Sequence, residues 1–310
     1  MNKSSKIYIA GHRGMVGAAL LNYFKKRKYT NIITESSTNL DLRNQYAVDT
    51  FFSLNKPDYV FIAAAKVGGI QANINQPVDF LIDNLRIQNN LIETSFKYNV
   101  KKVIFLGSSC IYPKNSPQPI LEEYLMDGKL EPTNEGYAIA KIAGLKLIEY
   151  YNNQYGTNYL SIMPSNMYGY NDNFSDTNSH VLAATIKKVH NAKKNQSDII
   201  VWGDGSARRE FLFVDDFPSA VELLIDNYHE NQHINVGYGS DISIYELTEL
   251  VKDVVGYDGK IVFDYNKPNG MKQKLLDSSK INSLGWKPET ELRQGIKLTY
   301  EWFLRHEVNQ

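Results

Sequence analysis

The chain has 310 residues, 43% of them hydrophobic, and its 34 lysines and arginines balance its 34 aspartates and glutamates. This length allows a large buried core, and the neutral charge gives no electrostatic reason to expect nucleic acid or an anionic membrane as the main partner. The single cysteine, Cys110, excludes an intramolecular disulfide, and no apolar stretch is long enough for a signal-peptide core or a membrane span, so the sequence predicts a cytoplasmic protein.

Short apolar runs alternate with longer segments of helical spacing in the first half of the chain. Buried strands are predicted at 6–10, 31–34, 59–64, 103–106 and 159–163. Helices are predicted between them at 16–26, 44–54, 78–98 and 136–151. This alternation is typical of an α/β fold with a doubly wound parallel sheet, the Rossmann arrangement, and we expect it to occupy residues 1–165.

The regular alternation stops after residue 165. Residues 166–173 are expected to form a polar loop. Further helices are predicted at 179–193, 216–227 and 244–255, and further strands at 199–202, 234–236 and 261–265. We therefore expect a smaller C-terminal α/β lobe over residues 166–310, with part of 208–240 returning to the first lobe.

The first predicted strand ends in a glycine-rich segment, Gly11-His12-Arg13-Gly14-Met15-Val16-Gly17, inside which a helix begins. Glycines at its three positions let the backbone turn sharply, approach a pyrophosphate closely and pack the helix on the strand, while the helix N-terminus offers N–H groups and a positive dipole. The motif alone is a weak signal. After the first strand of an alternating domain it favours dinucleotide binding over a purely structural turn.

The residues that distinguish NAD-binding from NADP-binding sites point to different cofactors in this chain. Glu35 follows the second strand, where a carboxylate binds the ribose hydroxyls of NAD, whereas Arg13 can reach the 2′-phosphate of NADP. Asp41, which precedes Leu42, is placed to meet the adenine after the next turn. A solvated loop aspartate explains Asp41 equally well.

Tyr137 and Lys141 lie one helical turn apart on one face of the predicted helix 136–151. An unperturbed tyrosine has a pKa of about 10, and an adjacent cation lowers this pKa by favouring the phenolate. Tyr137 could then exchange a proton with a carbonyl or hydroxyl oxygen. Taken alone, the pair is also compatible with an ordinary surface helix.

A serine and the cysteine follow the fourth predicted strand. If the chain stays extended there, Ser108 and Cys110 face the same side at the strand end where open α/β sheets bind ligands. Ser108 could hydrogen-bond the same substrate oxygen as Tyr137. The alternatives are a serine that bonds its own turn and a cysteine that serves as a small buried hydrophobe.

The glycine segment, Ser108, Tyr137 and Lys141 together resemble the extended short-chain dehydrogenase/reductase family, in its nucleotide-sugar-modifying branch. Longer segments resemble the GDP-L-fucose synthases within that family, which are GDP-4-keto-6-deoxy-D-mannose 3,5-epimerase/4-reductases. Besides the glycine segment, these are residues 63–70, 107–114, 131–135, 172–174 and 178–181. The resemblance covers nearly the whole chain, down to Trp286 and 302–304.

The resemblance implies a reductase triad of Ser108, Tyr137 and Lys141. NADPH would give hydride to C4 of a GDP-keto-sugar while Tyr137 protonates the carbonyl oxygen, Ser108 hydrogen-bonds it, and Lys141 holds the nicotinamide ribose and tunes Tyr137. Cys110 and His180 would exchange the protons at C3 and C5, which the ketone acidifies. A histidine that merely caps or packs a helix is the alternative for His180.

The resemblance also implies the binding residues, with no metal among them. Those predicted to bind NADPH are Gly11, Arg13, Gly14, Met15, Val16, Gly17, Asp41, Leu42, Ala63, Ala65, Lys141, Pro164, Asn166, Met167 and His180. Those predicted to bind the GDP-sugar are Ser109, Asn166, Lys188, Trp202, Arg209 and Lys274. A solvated surface charge is the alternative for each cation, and a core position is the alternative for Trp202.

The chain departs from the family pattern at three positions. Near the end of the second strand the family has an arginine, where this chain has Glu35. The family also has an arginine at the position of Lys188 and a proline at the position of Gly136.

Two other functions are therefore considered as alternatives: a C4-reductase of a GDP-4-keto heptose for bacterial surface polysaccharide, and a nucleotide sensor without turnover. The intact proton-transfer residues argue against the sensor. A homodimer through helices of the first lobe is carried over from the family.

Overall fold

The computed structural model describes residues 1–176, 179–267 and 269–308, in which strands and helices alternate. The strands are β1 (Ile7–Ala10), β2 (Ile32–Ile33), β3 (Tyr59–Ile62), β4 (Lys102–Leu106), β5 (Leu160–Pro164), β6 (Asn166–Tyr168), β7 (Ile199–Trp202), β8 (Arg208–Phe213), β9 (Ile234–Val236), β10 (Asp241–Ser243), β11 (Ile261–Asp264) and β12 (Gln273–Lys274). The helices are α1 (Met15–Lys26), α2 (Gln45–Asn55), α3 (Ile70–Asn75), α4 (Pro77–Lys97), α5 (Glu135–Tyr155), α6 (Val181–Asn195), α7 (Phe217–Asn227), α8 (Ile244–Val255), α9 (Ser279–Ser283) and α10 (Leu292–Phe303). Asn178, the first residue of one family-like segment, lies outside the described residues.

The first lobe is built on a parallel sheet with the strand order β2-β1-β3-β4-β5-β9. Its strands are buried on both faces, which explains their continuous apolar sequences. Side chains alternate, so Ile7 and Ile9 pack with α1 and α7 on one face, whereas Tyr8 and Ala10 pack with α2, α4 and α5 on the other. The prediction of an α/β fold with a doubly wound parallel sheet is confirmed.

The chain leaves this sheet and later returns to it. β9 pairs with β5 in the register Ile162↔Ile234. α7, Ile281 and Trp286 belong to the same hydrophobic cluster as β1. The lobe boundary at residue 165 stays a prediction, because elements far beyond it complete the first sheet.

The second lobe is organised around β8, which the sequence did not predict. The first half of β8 pairs with β10 and β12, and its second half pairs with β6. The expected polar loop at 166–173 is therefore wrong in its first part, because β6 gains its backbone hydrogen bonds from β8. A separate parallel pair, β7 and β11, packs with α6, α8 and α10 around another hydrophobic cluster. Across the described part of the chain, the helices all fall short of the length and apolarity that crossing a membrane requires.

Candidate active site

A glycine-rich turn joins β1 to α1. Gly11 adopts φ +86°, a backbone region that favours glycine. Gly17 lies so close to this turn that a Cβ atom on it would be 2.2 Å from the main-chain oxygen of Gly11. α1 begins at Met15, directly after Gly14, and the residues of its first turn line the adjoining cleft. The N–H groups that a helix leaves free at its N-terminus are therefore available to an anion.

The cleft has a volume of about 750 Å3 and runs across the carboxyl ends of β1 to β5. Open parallel sheets bind their ligands at this edge. Every residue predicted to bind NADPH lines this cleft, and Ser108, Ser109 and Tyr137 line it too. The structure thus brings the predicted cofactor residues and most of the predicted catalytic residues into one concavity.

Glu35 and Arg13 both line the part of the cleft that follows β2. The Glu35 carboxylate accepts hydrogen bonds from Asn39 and from the N–H of Ser36, both at 2.9 Å, and these bonds lower the pKa of Glu35. The nearby Arg13 charge lowers that pKa further. A carboxylate and a guanidinium therefore lie together where the cofactor ribose is expected, as the sequence indicated.

Asp41 is engaged in an ion pair with Arg43. Arg43 Nε lies 2.9 Å from one carboxylate oxygen and Nη2 lies 3.0 Å from the other. This pairing lowers the pKa of Asp41. Arg43 Nη1 lies 3.5 Å from Asp83, which is itself 3.8 Å from Lys66. Asp41 is therefore one end of a chain of ion pairs along the cleft, and not a simply solvated loop residue.

A partly buried imidazole with a buried Nδ1 atom supports a dinucleotide at this site. His12 Nδ1 is buried and finds no hydrogen-bond partner within the described residues. Burial lowers the pKa of His12, and the charge of Arg13 lowers it further. Buried polar atoms in folded proteins are normally paired, so an unpaired one beside a cleft points to a ligand. Together with the open N-terminus of α1, His12 shows that these residues fit a dinucleotide cofactor.

Lys141 is buried beneath the cleft and its ammonium is fixed. Nζ donates a hydrogen bond to the main-chain oxygen of Leu106 at 2.8 Å. It also lies 4.8 Å from the centre of the Phe105 ring and 5.8 Å from the centre of the Tyr137 ring. Burial lowers the pKa of Lys141 to about 8. The lysine therefore loses its charge at a lower pH than an exposed lysine does.

The pKa of Tyr137 corrects one expectation from the sequence. Burial raises the pKa of this phenol, and a negative charge on Cys110 would raise it further. The predicted lowering by Lys141 does not prevail, because removal from water, which disfavours the phenolate, has the largest effect on this pKa. In this structure Tyr137 is therefore a proton donor at neutral pH.

The backbone after β4 corrects a second expectation. The chain does not stay extended, because Ser109–Ile111 forms one turn of 3-10 helix. Ser108 and Cys110 nevertheless meet, since Ser108 Oγ accepts a hydrogen bond from the Cys110 N–H at 3.4 Å. Cys110 is buried, which raises the pKa of its thiol, and the charges of Lys274 and Lys141 oppose this rise.

His180 directly precedes α6 and its side chain faces the cleft. In the part of the chain that the structure describes, the imidazole makes no capping hydrogen bond to α6, which removes the capping interpretation. Desolvation lowers the pKa of His180, and Lys274 lowers it further. The imidazole is therefore neutral near pH 7 and available to accept a proton.

Lys188 and Trp202 form a separate group outside the described lining of the cleft. Lys188 Nζ lies 5.1 Å from the centre of the Trp202 ring, and Lys267 Nζ lies 5.3 Å from it. Trp202 is 46% exposed, so the core interpretation is wrong. An exposed indole between two cations can stack a base while the cations attract phosphate.

Arg209 and Lys274 lie side by side on neighbouring strands, β8 and β12. Arg209 Nη1 donates hydrogen bonds to the main-chain oxygens of Arg208 and Met271, both at 2.7 Å. Burial lowers the pKa of each cation. Lys274 acts electrostatically on both Cys110 and His180, so the structure brings this cation close to the predicted epimerase residues.

Sequence reasoning missed several polar residues of the cleft, and two of them have a buried polar atom without a partner among the described residues. Ser165 Oγ and Asn73 Oδ1 are buried, line the cleft and find no hydrogen-bond partner among the described residues. Ser165 lies between Pro164 and Asn166, which were both predicted to bind the cofactor, so its place in the sequence could have identified it. The sequence offered no such indication for Asn73, because it lies on a short helix that was not predicted.

Gly136, where the family has proline, lies at a close contact between two helices. A Cβ atom at this position would be 2.9 Å from the main-chain oxygen of Pro77. Gly136 is in the first turn of α5, and Pro77 is the first residue of α4. Glycine therefore allows the starts of these helices to approach each other directly before Tyr137.

Comparisons with known proteins agree with this geometry. The model of the NAD dependent epimerase/dehydratase family matches residues 7–237. GDP-L-fucose synthase 1 of Arabidopsis thaliana is 51% identical over 100% of this chain and 96% of its own, and the GDP-L-fucose synthase of Escherichia coli K12 is 47% identical over 97% of both chains. A solved structure of the GDP-mannoheptose C4 reductase MlghC from Campylobacter jejuni, with NADP bound, is 42% identical with a TM-score of 0.89 and covers 98% of this chain and 99% of its own.

Proposed function

This chain belongs to the NAD dependent epimerase/dehydratase family, and from that membership we propose that it is a GDP-4-keto-6-deoxy-sugar 3,5-epimerase and NADPH-dependent 4-reductase of the GDP-L-fucose synthase type. One observation carries the proposal: Ser108, Tyr137, Lys141 and His180 line the same cleft as the glycine turn, and the backbone N–H of Cys110 donates a hydrogen bond to Ser108 Oγ. The full-length relatives named GDP-L-fucose synthase support it.

In the reductase step, bound NADPH supplies the hydride that C4 of the keto-sugar receives. Tyr137 gives its proton to the C4 oxygen, and its raised pKa keeps the phenol protonated until that oxygen becomes strongly basic. Ser108 donates a hydrogen bond to the same oxygen. Lys141, held by its hydrogen bond to Leu106, places a positive charge beside Tyr137 and would donate a hydrogen bond to the nicotinamide ribose of the bound cofactor.

In the epimerase step, Cys110 and His180 exchange protons at C3 and C5. The ketone at C4 acidifies both positions, so one group must remove a proton and another must return it on the opposite face. Burial raises the pKa of the Cys110 thiol, which favours the protonated thiol, and desolvation and the charge of Lys274 lower the pKa of His180, which favours the neutral imidazole. The pair therefore holds one proton to give and one site to receive, which is the minimum that this chemistry requires.

The second lobe binds the GDP portion in this proposal. Arg209 and Lys274 are adjacent cations next to the epimerase pair and neutralise the diphosphate. Trp202 offers an exposed indole to the base, with Lys188 beside it. The first lobe, residues 1–165, binds NADPH.

A C4-reductase of a GDP-4-keto heptose is the second candidate. The MlghC structure favours it, because that protein is named a heptose C4 reductase and matches this chain over nearly its whole length. A reductase of that kind needs Ser108, Tyr137 and Lys141 but no proton exchange at C3 or C5. The two candidates therefore differ in the role of Cys110 and His180.

We also propose a homodimer that works in the cytoplasm in polysaccharide biosynthesis. α4 and α5 pack against each other and carry large apolar side chains that are exposed on the monomer: Val78, Ile82, Ile139 and Tyr150. Pairing of this face with a second copy would bury them. The single free cysteine suits a reducing compartment.

The deciding experiment is incubation with NADPH and GDP-4-keto-6-deoxy-D-mannose in deuterated water, with deuterium located in the product by mass spectrometry and NMR. Deuterium at C3 and C5 of GDP-L-fucose is the expected result. Reduction without deuterium would favour the C4-reductase. No turnover of this substrate, but turnover of a GDP-4-keto heptose, would contradict the deoxysugar assignment.

A further inference from the structure

Glu210 carries a carboxylate that is fully buried in the second lobe. Its side chain is 0% exposed. One oxygen accepts a hydrogen bond from the N–H of Gly239 at 2.7 Å, and the other accepts one from the N–H of Leu276 at 3.1 Å. Among the described residues, no lysine, arginine or histidine forms a salt bridge with it. Backbone N–H groups alone satisfy this charge.

The two hydrogen bonds join segments that are distant in sequence. Gly239 belongs to the turn that leads out of β9, the edge strand of the cofactor sheet. Leu276 follows β12 and stands two residues after Lys274. Arg209 directly precedes Glu210 on β8, in register with Lys274. One carboxylate thus ties together the strand of Arg209, the strand of Lys274 and the chain that arrives from the first lobe.

The space around the carboxylate is filled closely. A Cβ atom on Gly237 would be 2.3 Å from one carboxylate oxygen of Glu210. The main-chain oxygen of Glu210 accepts a hydrogen bond from the Asn166 side chain at 2.9 Å, and Asn166 lines the cofactor cleft. The residue therefore has its backbone linked to the cleft and its side chain linked to the β12 segment.

Burying a charged carboxylate between strands costs free energy, because the charge loses its contact with water. Burial raises the pKa of Glu210 to about 7, although the backbone N–H groups of Gly239, Leu276 and Tyr238 oppose this rise. Asp241 on the neighbouring β10 raises that pKa further. An ionised carboxylate is the side chain that offers two acceptors and no donor to two opposing N–H groups, which explains the choice of glutamate.

We propose that Glu210 is a positioning residue that holds Arg209 and Lys274 at the spacing required to bind one diphosphate. This inference rests on the proposed function, since it takes the diphosphate of a GDP-sugar as the ligand of these cations. The lysine strand is also held from its other side, where Ile120 N–H donates to the main-chain oxygen of Leu275 at 2.8 Å. On the side of Arg209, the hydrogen bond from the Leu276 N–H to Glu210 holds the same strand.

The test is Glu210→Gln in the full chain. The amide turns one acceptor into a donor that faces the N–H of Gly239 or Leu276, so one segment is released. We expect calorimetric affinity for GDP to fall about tenfold, and the KM for the GDP-sugar to rise by a similar factor with a smaller change in kcat. NADPH affinity should stay within about twofold of wild type, because the glycine turn makes no contact with this group.

Asp216→Asn is the matched control. Asp216 also accepts hydrogen bonds from a distant segment, from the N–H of Thr290 at 2.9 Å and from the Thr290 hydroxyl at 2.8 Å, but it lies on a different segment from Arg209 and Lys274, directly before α7. It should lower the melting temperature while leaving GDP affinity unchanged. Equal losses of GDP affinity in both variants, or none in Glu210→Gln, would overturn the proposal. A wild-type protein that binds no GDP would overturn the proposed function as well.

Should Glu210→Gln not fold, Glu210→Asp replaces it. Aspartate keeps the charge but is one methylene shorter, so it cannot reach both N–H groups. The same selective loss of GDP affinity is expected. Normal GDP affinity in a folded Glu210→Asp protein would contradict the proposal.

Discussion

The ammonium of Lys141 donates a hydrogen bond to the main-chain oxygen of Leu106, 2.8 Å away. This bond joins the catalytic helix to the last residue of the strand that leads to Ser108. The bond keeps the lysine under the phenol of Tyr137, but the same burial lowers the pKa of Lys141 to about 8. Position and charge state are therefore linked.

The reductase should lose activity in alkaline solution. Lys141 is charged below its pKa of about 8 and neutral above it, so kcat/KM for reduction should fall as pH rises through about 8. Lys141→Arg, which stays charged, should be slower but lack this fall. Lys146→Met on the same helix is the control and should keep the wild-type profile. A pH profile of kcat/KM checks this; an unchanged alkaline limb in Lys141→Arg would assign the limb to another group.

Replacing Tyr137 with phenylalanine should remove the proton donor and little else. We expect kcat for NADPH oxidation to fall about a thousandfold, while NADPH affinity stays within about twofold. Tyr151→Phe, on the same helix and packed against Phe96, should have nearly wild-type activity. Turnover by Tyr137→Phe at the wild-type rate would sink the assigned role of this phenol.

Cys110→Ala and His180→Asn should each lose proton exchange at the sugar. Incorporation of solvent deuterium at C3 and C5 should fall at least about a hundredfold, because each variant removes one partner of the acid–base pair. Tyr137→Phe should keep exchange while losing reduction, which separates the two activities. Mass spectrometry of recovered sugar measures both, and full exchange in both variants would show that the pair does not perform epimerisation.

Glu35→Ala should strengthen the preference for NADPH over NADH. Glu35 lies beside Arg13, and its negative charge opposes a 2′-phosphate placed there. The ratio of kcat/KM for NADPH to that for NADH should rise about tenfold. Glu249→Ala, in the second lobe, should leave the ratio unchanged. A falling ratio would mean that Glu35 supports the phosphate site indirectly, through Ser36 or Asn39.

Charges on the exposed face of α4 and α5 should prevent dimer formation. In the variant Ile82→Glu with Ile139→Glu, two exposed apolar side chains gain the same negative charge and repel across the interface, without loss of the monomer core. Light scattering should then give the mass of one chain, whereas wild type gives the mass of two. Leu54→Glu, a more exposed apolar position on α2, should remain dimeric. A dimer in the double variant would place the interface elsewhere.

The first lobe could be predicted from the sequence because its strands are short apolar runs between amphipathic helices. β8 could not be predicted, because it begins with Arg208-Arg209-Glu210, and three consecutive charged residues do not match the apolar pattern of a buried strand. The burial of Glu210 depends on hydrogen bonds from N–H groups 29 and 66 residues away in the sequence, and a local sequence pattern does not predict such distant partners. Likewise, the raised pKa of Tyr137 follows from its removal from water, a property of the assembled fold.

The return of β9 to the first sheet determines how this protein can be divided. The chain builds β1 to β5, crosses to the second lobe, returns through α7 and β9, crosses again, and returns once more with Ile281 and Trp286 before α10 packs in the second lobe. A fragment ended at residue 165 would leave the hydrogen-bonding edge of β5 open and prone to association. No single junction separates the two lobes, so exchanging substrate lobes between relatives, or splitting the gene in two, requires several matched junctions. The cofactor site and the substrate site therefore cannot be exchanged separately between relatives by a single crossover.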